Sequence, residues 1–114
     1  MKNLGLILAV VLVTLFSANS YASGKLDTIK IKTSSQCDMC KETIEKQMAF
    51  EKGVKSAILD VESSVLTVEY NPKKTNPDLI RKAVAAAGYD ADDVPAEPTA
   101  YDNLHECCKK GSHK

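Results

Sequence analysis

Apolar and polar residues alternate from Thr28 to Thr33, with Ile29 and Ile31 set against Lys30 and Lys32. This is the period-two pattern of a strand with one wet face. A polar pause, Ser34-Ser35-Gln36, follows, and Cys37-Asp38-Met39-Cys40 opens a segment in which Cys40, Ile44 and Met48 recur every four residues. Lys41, Glu42, Glu45 and Lys46 fall on the other side. That period predicts a helix, and Gly53 supplies its stop, because glycine accepts the left-handed conformation past a last turn. Two more alternating runs come next: Val54 to Val61, with Ala57, Leu59 and Val61 on one face, and Val65 to Tyr70, with Leu66, Val68 and Tyr70 on one face. Glu62-Ser63-Ser64 between them predicts a hairpin. Thr75 or Asn76 caps a second helix that starts at Pro77, where a missing N–H costs nothing. Its stripe is Leu79, Ile80, Ala83, Val84 and Ala87, and Gly88 ends it. A weak edge strand is expected around Tyr89 to Val94, closed by Pro95. Beyond Pro95 the chain reads as loop, leading to His105-Glu106-Cys107-Cys108 and a basic tail that contains His113.

The order strand, helix, strand, strand, helix, weak strand predicts an α+β fold, a ferredoxin-like βαββαβ two-layer sandwich. Its antiparallel sheet carries both helices on one face, and a C-terminal Cys-containing extension follows. Each strand has one apolar face and each helix one apolar stripe, so two layers bury all of them together. Residues 1–22 belong to none of this. Lys2, an apolar run from Leu4 to Phe16, and Ser20-Tyr21-Ala22 with small residues three and one before a cut read as a signal peptide. The run is shorter than the about 20 residues of a spanning helix. The expected division is therefore a signal peptide at 1–22, a folded domain at 23–94 and a tail at 95–114. The mature form is expected to be periplasmic or secreted and not membrane-spanning.

The 114 residues carry 15 basic and 15 acidic side chains. A near-neutral chain lacks the basic face that phosphate backbones require, so nucleic acid is not an expected partner. There is no Trp, so the core rests on Val, Ile, Leu and Ala and is small. No Ser-His-Asp set, phosphate-cradling glycine loop or pair of acids on a recognisable scaffold stands out, and an enzyme is not expected.

The chemistry lies in four cysteines. Cys37 and Cys40 sit where a loop enters a helix, and two thiols three positions apart there converge on one point. The partial positive charge and free N–H groups of a helix start favour thiolate over thiol. Two thiolates from one loop suit Cu(I) or Hg(II), which accept linear coordination. A structural zinc site would want four ligands, which makes zinc the less favoured ion. The same spacing serves thiol-disulfide redox chemistry, half of a zinc ribbon, or a plain disulfide in an exported protein. A thioredoxin-like protein would show tryptophan and proline around the pair, and a ribbon would need a second spaced pair; Cys107 and Cys108 are adjacent. The reading that competes with metal binding is a small exported thiol-disulfide oxidoreductase using Cys37 and Cys40.

The stretch from Thr28 to about Val94 resembles the heavy-metal-associated domain. The resemblance is carried by Cys37-Asp38-Met39-Cys40 between strand and helix, Gly53-Val54 after that helix, and Ala87-Gly88-Tyr89 closing the second. That family includes copper chaperones, amino-terminal modules of metal-pumping ATPases, and exported mercury-scavenging proteins. The resemblance implies a ferredoxin-like fold, a metal ion held by Cys37 and Cys40, and handover of the ion by exchange of thiolate ligands. The partner would be a metal-transporting membrane protein or another metal-binding domain, and the protein itself a monomer or a metal-bridged dimer. Tyr89 matches an aromatic position beside the metal loop in bacterial members. Two departures stand out: Ser34-Ser35-Gln36 replaces the usual Gly-Met before the first cysteine, with Met39 inside the loop instead, and the tail is additional.

Three readings of the tail stay open. Cys107 and Cys108 reach back to add thiolates to the loop, or with His105 form a separate soft-metal site; they form disulfides; or they hang on a flexible segment. Asp38 is expected to cap the helix rather than to serve as a ligand for a harder ion.

Overall fold

The computed structural model describes residues 25–110. The signal peptide expected at 1–22, the first two residues of the domain expected at 23–94, and His113 fall outside them. The described chain forms β1 (Asp27–Lys32), α1 (Asp38–Ala49), β2 (Val54–Asp60), β3 (Val65–Tyr70), α2 (Pro77–Ala86), a short helix α3 (Pro98–Asp102) and a 3-10 turn at Glu106–Cys108. Both long helices pack on the sheet's apolar face, as the alternation predicts. Ile31, Leu59, Leu66, Val68 and Tyr70 of the strands join Cys40, Ile44, Met48, Ile80, Ala83 and Val84 of the helices in one buried cluster.

The sheet is antiparallel, with β3 between β1 and β2. Ile31 stands opposite Leu66 and Ile29 opposite Val68 on one side, and Leu59 opposite Leu66 and Ala57 opposite Val68 on the other. Because β2 is an edge strand, its outward N–H groups need cover. Glu45 of α1 accepts the Leu59 N–H at 2.8 Å, while Lys41 bonds both the Glu45 carboxylate at 2.6 Å and the Leu59 carbonyl at 2.9 Å. The charged face of α1 is therefore stitched to the sheet edge.

The helix boundaries follow local chemistry. Asn76 is the N-cap of α2, its side chain accepting the Leu79 N–H at 3.0 Å, and Pro77 fills the first position. Leu79 stays 46% exposed, so the buried stripe runs through Ile80, Ala83, Val84 and Ala85. Helix α1 ends at Ala49 with Phe50 as its C-cap. Gly53 therefore is not the stop of that helix but the turn into β2, where it adopts φ +83°.

The expected strand at Tyr89 to Val94 does not form. Only the isolated pairs Thr33 with Ala91 and Ala91 with Val94 are present. Ala91 and Val94 exchange N–H to carbonyl bonds of 2.9 Å in both directions, which folds the segment into a tight loop with Asp92 at φ +51°. Asp92 takes over what the ladder would have done: its carboxylate accepts the Lys32 N–H at 2.9 Å and its own N–H donates to the Lys32 carbonyl at 2.9 Å. Pro95 has no N–H to extend a strand further. Nor is the segment after Pro95 simply loop. Glu97 caps α3 through the N–H groups of Thr99 and Ala100, and Pro98 occupies its first turn. Among the described residues no helix is long and apolar enough to cross a membrane.

Candidate metal centre

The loop from Thr33 to Cys40 is held by hydroxyl groups. The Thr33 hydroxyl donates to the Ser64 carbonyl at 2.8 Å and accepts the Ser35 N–H at 3.2 Å, while the Ser64 hydroxyl donates to the Ser35 carbonyl at 2.8 Å. The Ser34 hydroxyl accepts the Asp90 N–H at 2.9 Å. Ser34-Ser35-Gln36, the departure from the family pattern, thus anchors the loop to the β2–β3 turn and to the segment after α2.

Cys37 is the N-cap of α1, in extended conformation, and Asp38 is the first helical residue. The capping role expected of Asp38 is therefore not realised; one residue too late to cap, it contributes a negative charge in the first turn, where the helix dipole favours it. Cys40 lies one turn on and is buried, with its sulfur 3.5 Å from that of Cys37. The N–H of Gln36 points at the Cys40 sulfur from 3.4 Å.

The tail closes on this pair. Cys107 Sγ lies 3.1 Å from Cys37 Sγ, and Cys108 Sγ lies 2.6 Å from Cys40 Sγ and 3.8 Å from Cys37 Sγ. Cys107 and Cys108 are 4.0 Å apart at sulfur, and among the described residues no disulfide joins any of the four cysteines. Cys37, Cys40 and Cys108 have their sulfurs within 4.8 Å of one another, a spacing that one ion spans. The Met39 thioether stands 3.5 Å from Cys107 Sγ at the exposed rim. His105 does not join: it is exposed and contributes only its backbone carbonyl, which accepts the Cys108 N–H at 2.8 Å.

Protons are unevenly shared over the sulfurs of Cys37, Cys107 and Cys108. Burial by itself pushes the Cys37 thiol up, but its hydrogen bond with Cys107 and the first-turn N–H groups of Cys40 and Met39 outweigh that, bringing it from 9.0 down to about 6. Cys107 is raised, first by its hydrogen bond with Cys37 and then by burial. Cys108 is raised by burial and then by Cys40 beside it. A thiolate at Cys37 beside protons retained on Cys107 and Cys108 is an arrangement a soft cation completes by displacing those protons. Tyr89 lies beneath, fully buried, its hydroxyl near Cys108 and Cys40 without closing a hydrogen bond of ordinary geometry. Burial and then these sulfurs push its pKa up.

Comparison with known proteins places this geometry. The heavy-metal-associated domain profile matches residues 36–90. The copper chaperone CopZ of Staphylococcus epidermidis is 32% identical over 62 residues, which make up 54% of this chain and 90% of CopZ. The chain belongs to the heavy-metal-associated domain family. Copper-transporting ATPase 1 of Rattus norvegicus is 36% identical over 55 residues, 48% of this chain but only 4% of the ATPase, so the chain spans a small part of that relative. The crystal structure of oxidized MerP from Ralstonia metallidurans CH34 superposes with a TM-score of 0.57 at 25% identity, over 60% of this chain and 96% of MerP. The matched heavy-metal-associated domain runs from the loop through α1, β2, β3 and α2. It ends before the tail, and Cys107 and Cys108 lie outside it.

Proposed function

We propose that the reduced protein captures one soft metal ion, Cu(I) or Hg(II) ahead of zinc, through Cys37 and Cys40. It works outside the cytosol, in the periplasm or as a secreted protein freed of residues 1–22, and passes the ion to a metal-transporting membrane protein or to another metal-binding domain. The observation that carries this is the convergence of the Cys37 and Cys40 sulfurs at 3.5 Å on the first turn of α1, in a chain similar to a copper chaperone over 90% of that chaperone's length. Copper is favoured over mercury because the sequence relatives, CopZ and the copper-transporting ATPases, are copper proteins. The structural likeness to MerP keeps Hg(II) in the experiment.

Cys40, buried, is the anchoring ligand, and Cys37, half-buried, is the one through which the ion enters and leaves. A partner thiolate adds to the ion on the Cys37 side before Cys37 departs, so the ion is ligated at every stage. High affinity and fast transfer are then compatible, because no step passes through a naked ion.

The test is titration of reduced protein with Cu(I), Hg(II) and Zn(II) against a competing chelator, with stoichiometry read by native mass spectrometry. Wild-type protein should outcompete the chelator for Cu(I) or Hg(II), and the C37S/C40S variant should not. Equal binding by that variant would refute the assignment. A second reading, thiol-disulfide exchange by the same pair, draws on the contact distances among the four sulfurs. Catalytic reduction of a protein disulfide by the metal-free protein, lost in C37S/C40S, would favour it.

A further inference from the structure

The tail is built into the fold. The Glu97 N–H donates to the Ala85 carbonyl at 2.9 Å, tying the tail to the end of α2. Gly88, at φ +105°, is where α3 crosses: a Cβ there would lie 2.9 Å from the Ala100 carbonyl oxygen and 3.1 Å from a Leu104 methyl. Lys110 closes the far end, its ammonium 2.6 Å from the Asp90 carboxylate and its N–H donating to the Tyr101 hydroxyl at 2.9 Å. Asp90 also accepts the Ala96 N–H at 2.8 Å. Between these fastenings the 3-10 turn sets Cys108 into the core at 2% exposure, in the same buried cluster as Cys40 and Tyr89.

From this geometry we infer that Cys107 and Cys108 are resident ligands of the metal centre, so that the ion is held by three or four thiolates drawn from two distant parts of the chain. The inference rests on the reading that Cys37 and Cys40 take the ion, and deepens it. The spacing of the sulfurs argues for it. With metal–sulfur bonds of about 2.3 Å, sulfurs stand about 4.6 Å apart in a linear site, about 4.0 Å in a trigonal one and about 3.8 Å in a tetrahedral one. The Cys37–Cys40 distance of 3.5 Å, the Cys37–Cys108 distance of 3.8 Å and the Cys107–Cys108 distance of 4.0 Å lie near the trigonal and tetrahedral values. Cys37–Cys107 at 3.1 Å and Cys40–Cys108 at 2.6 Å are shorter and would have to open by about 1 Å as an ion enters. The loop pair would have to open by about 1 Å to hold an ion linearly. It would also have to do so while the tail's sulfurs fill the space that a third ligand takes. Cys108 completes a three-sulfur face with Cys37 and Cys40, and Cys107 with the Met39 thioether covers it from the solvent side.

Loading then replaces the thiol protons of the ligating cysteines, which go to water, by bonds to the ion. Transfer reverses this. The tail sulfurs stand where a partner's incoming thiolates must go, so Cys107, the more exposed, yields first and regains a proton as the partner's sulfur binds.

X-ray absorption at the metal edge of reduced wild-type protein carrying one equivalent of Cu(I), Zn(II) or Hg(II) counts the sulfur neighbours directly. Three or four around the ion that binds is the expected result; two overturns the inference. The C107S/C108S variant should still bind, through Cys37 and Cys40, but with affinity lowered at least tenfold in chelator competition, and unchanged affinity also overturns it. The wild-type measurement decides even where serine at the buried position 108 loosens the tail. C37S/C40S separates the two readings: abolished binding there, together with two sulfur neighbours in the wild type, sinks tail ligation and leaves the two-cysteine site standing.

Discussion

Replacing Gly88 by Ala puts the docking of the tail to a test that touches no sulfur. Gly88 follows the C-cap of α2 at φ +105°, a conformation in which an L side chain costs about 1–2 kcal/mol. The added Cβ would also meet the Ala100 carbonyl carbon at 3.0 Å and its oxygen at 2.9 Å. These are backbone atoms of α3, which cannot rotate aside, and overpacking of this kind costs about 1–3 kcal/mol. Stiffening of the unfolded chain returns about 0.4–1 kcal/mol, which leaves a net loss of about 3 kcal/mol if the helix end and α3 both stay in place. The alternative relief is for α3 to lift, which caps the loss at the docking energy of the tail and carries Cys108 out of the core. Urea unfolding of the reduced protein measures the first outcome and the rate of Cys108 modification by an aromatic disulfide reagent measures the second. One of the two must change. Stability within about 0.5 kcal/mol of wild type together with Cys108 as unreactive as before would refute the packing of α3 against Gly88.

Two further predictions concern groups beside the site. Glu45→Ala removes the carboxylate that covers the Leu59 N–H and holds Lys41. A charge-assisted bond of this kind, discounted for solvent screening of the pair, predicts a loss of about 1 kcal/mol at neutral pH. Burial pushes the Glu45 carboxyl up, but Lys41 and the Leu59 N–H outweigh it and set it below 4.5. Its contribution is therefore present above the unfolded value and fades as pH falls through the folded one. The gap between wild type and Glu45→Ala in urea midpoints should narrow below about pH 4.5, and a gap constant from pH 7 to pH 3 would contradict the assignment. Tyr89→Phe removes a buried hydroxyl that closes no hydrogen bond of ordinary geometry among the described residues, so the metal-free variant should match wild type or gain up to about 1 kcal/mol. A loss above about 1 kcal/mol on thermal unfolding would mean the hydroxyl is bonded after all.

Much of this was legible in the chain. Period two at Ile29 and Ile31, period four at Cys40, Ile44 and Met48, and the Asn76-Pro77 start are local signals, and each specifies its element without help from elsewhere. The weak strand at Tyr89 to Val94 failed because nothing in its own sequence shows that Asp92 will bond both the N–H and the carbonyl of Lys32, 60 positions away. The short helix α3 did carry a signal, Glu97-Pro98 ahead of Thr99, which is the pattern of a capped first turn. The latch of Asp90, Tyr101 and Lys110 carried none, since three ordinary surface residues meet there only once α2 and the tail have packed.

By itself the sequence determined the alternation of strands and helices, the hydrophobic face of each, and the placing of two thiols at a helix start, because all of these depend on neighbours within a turn or a strand. It left open what Cys107 and Cys108 do. Only the tertiary structure decided that they lie against Cys37 and Cys40 while His105 stays at the surface, 70 positions separating Cys37 from Cys107. The physical reason is that such closure is set by the packing of the tail over Gly88 and Ala85, by a glycine that lets two backbones approach and by an ion pair at the far end. These are interactions between segments whose own patterns say nothing of one another.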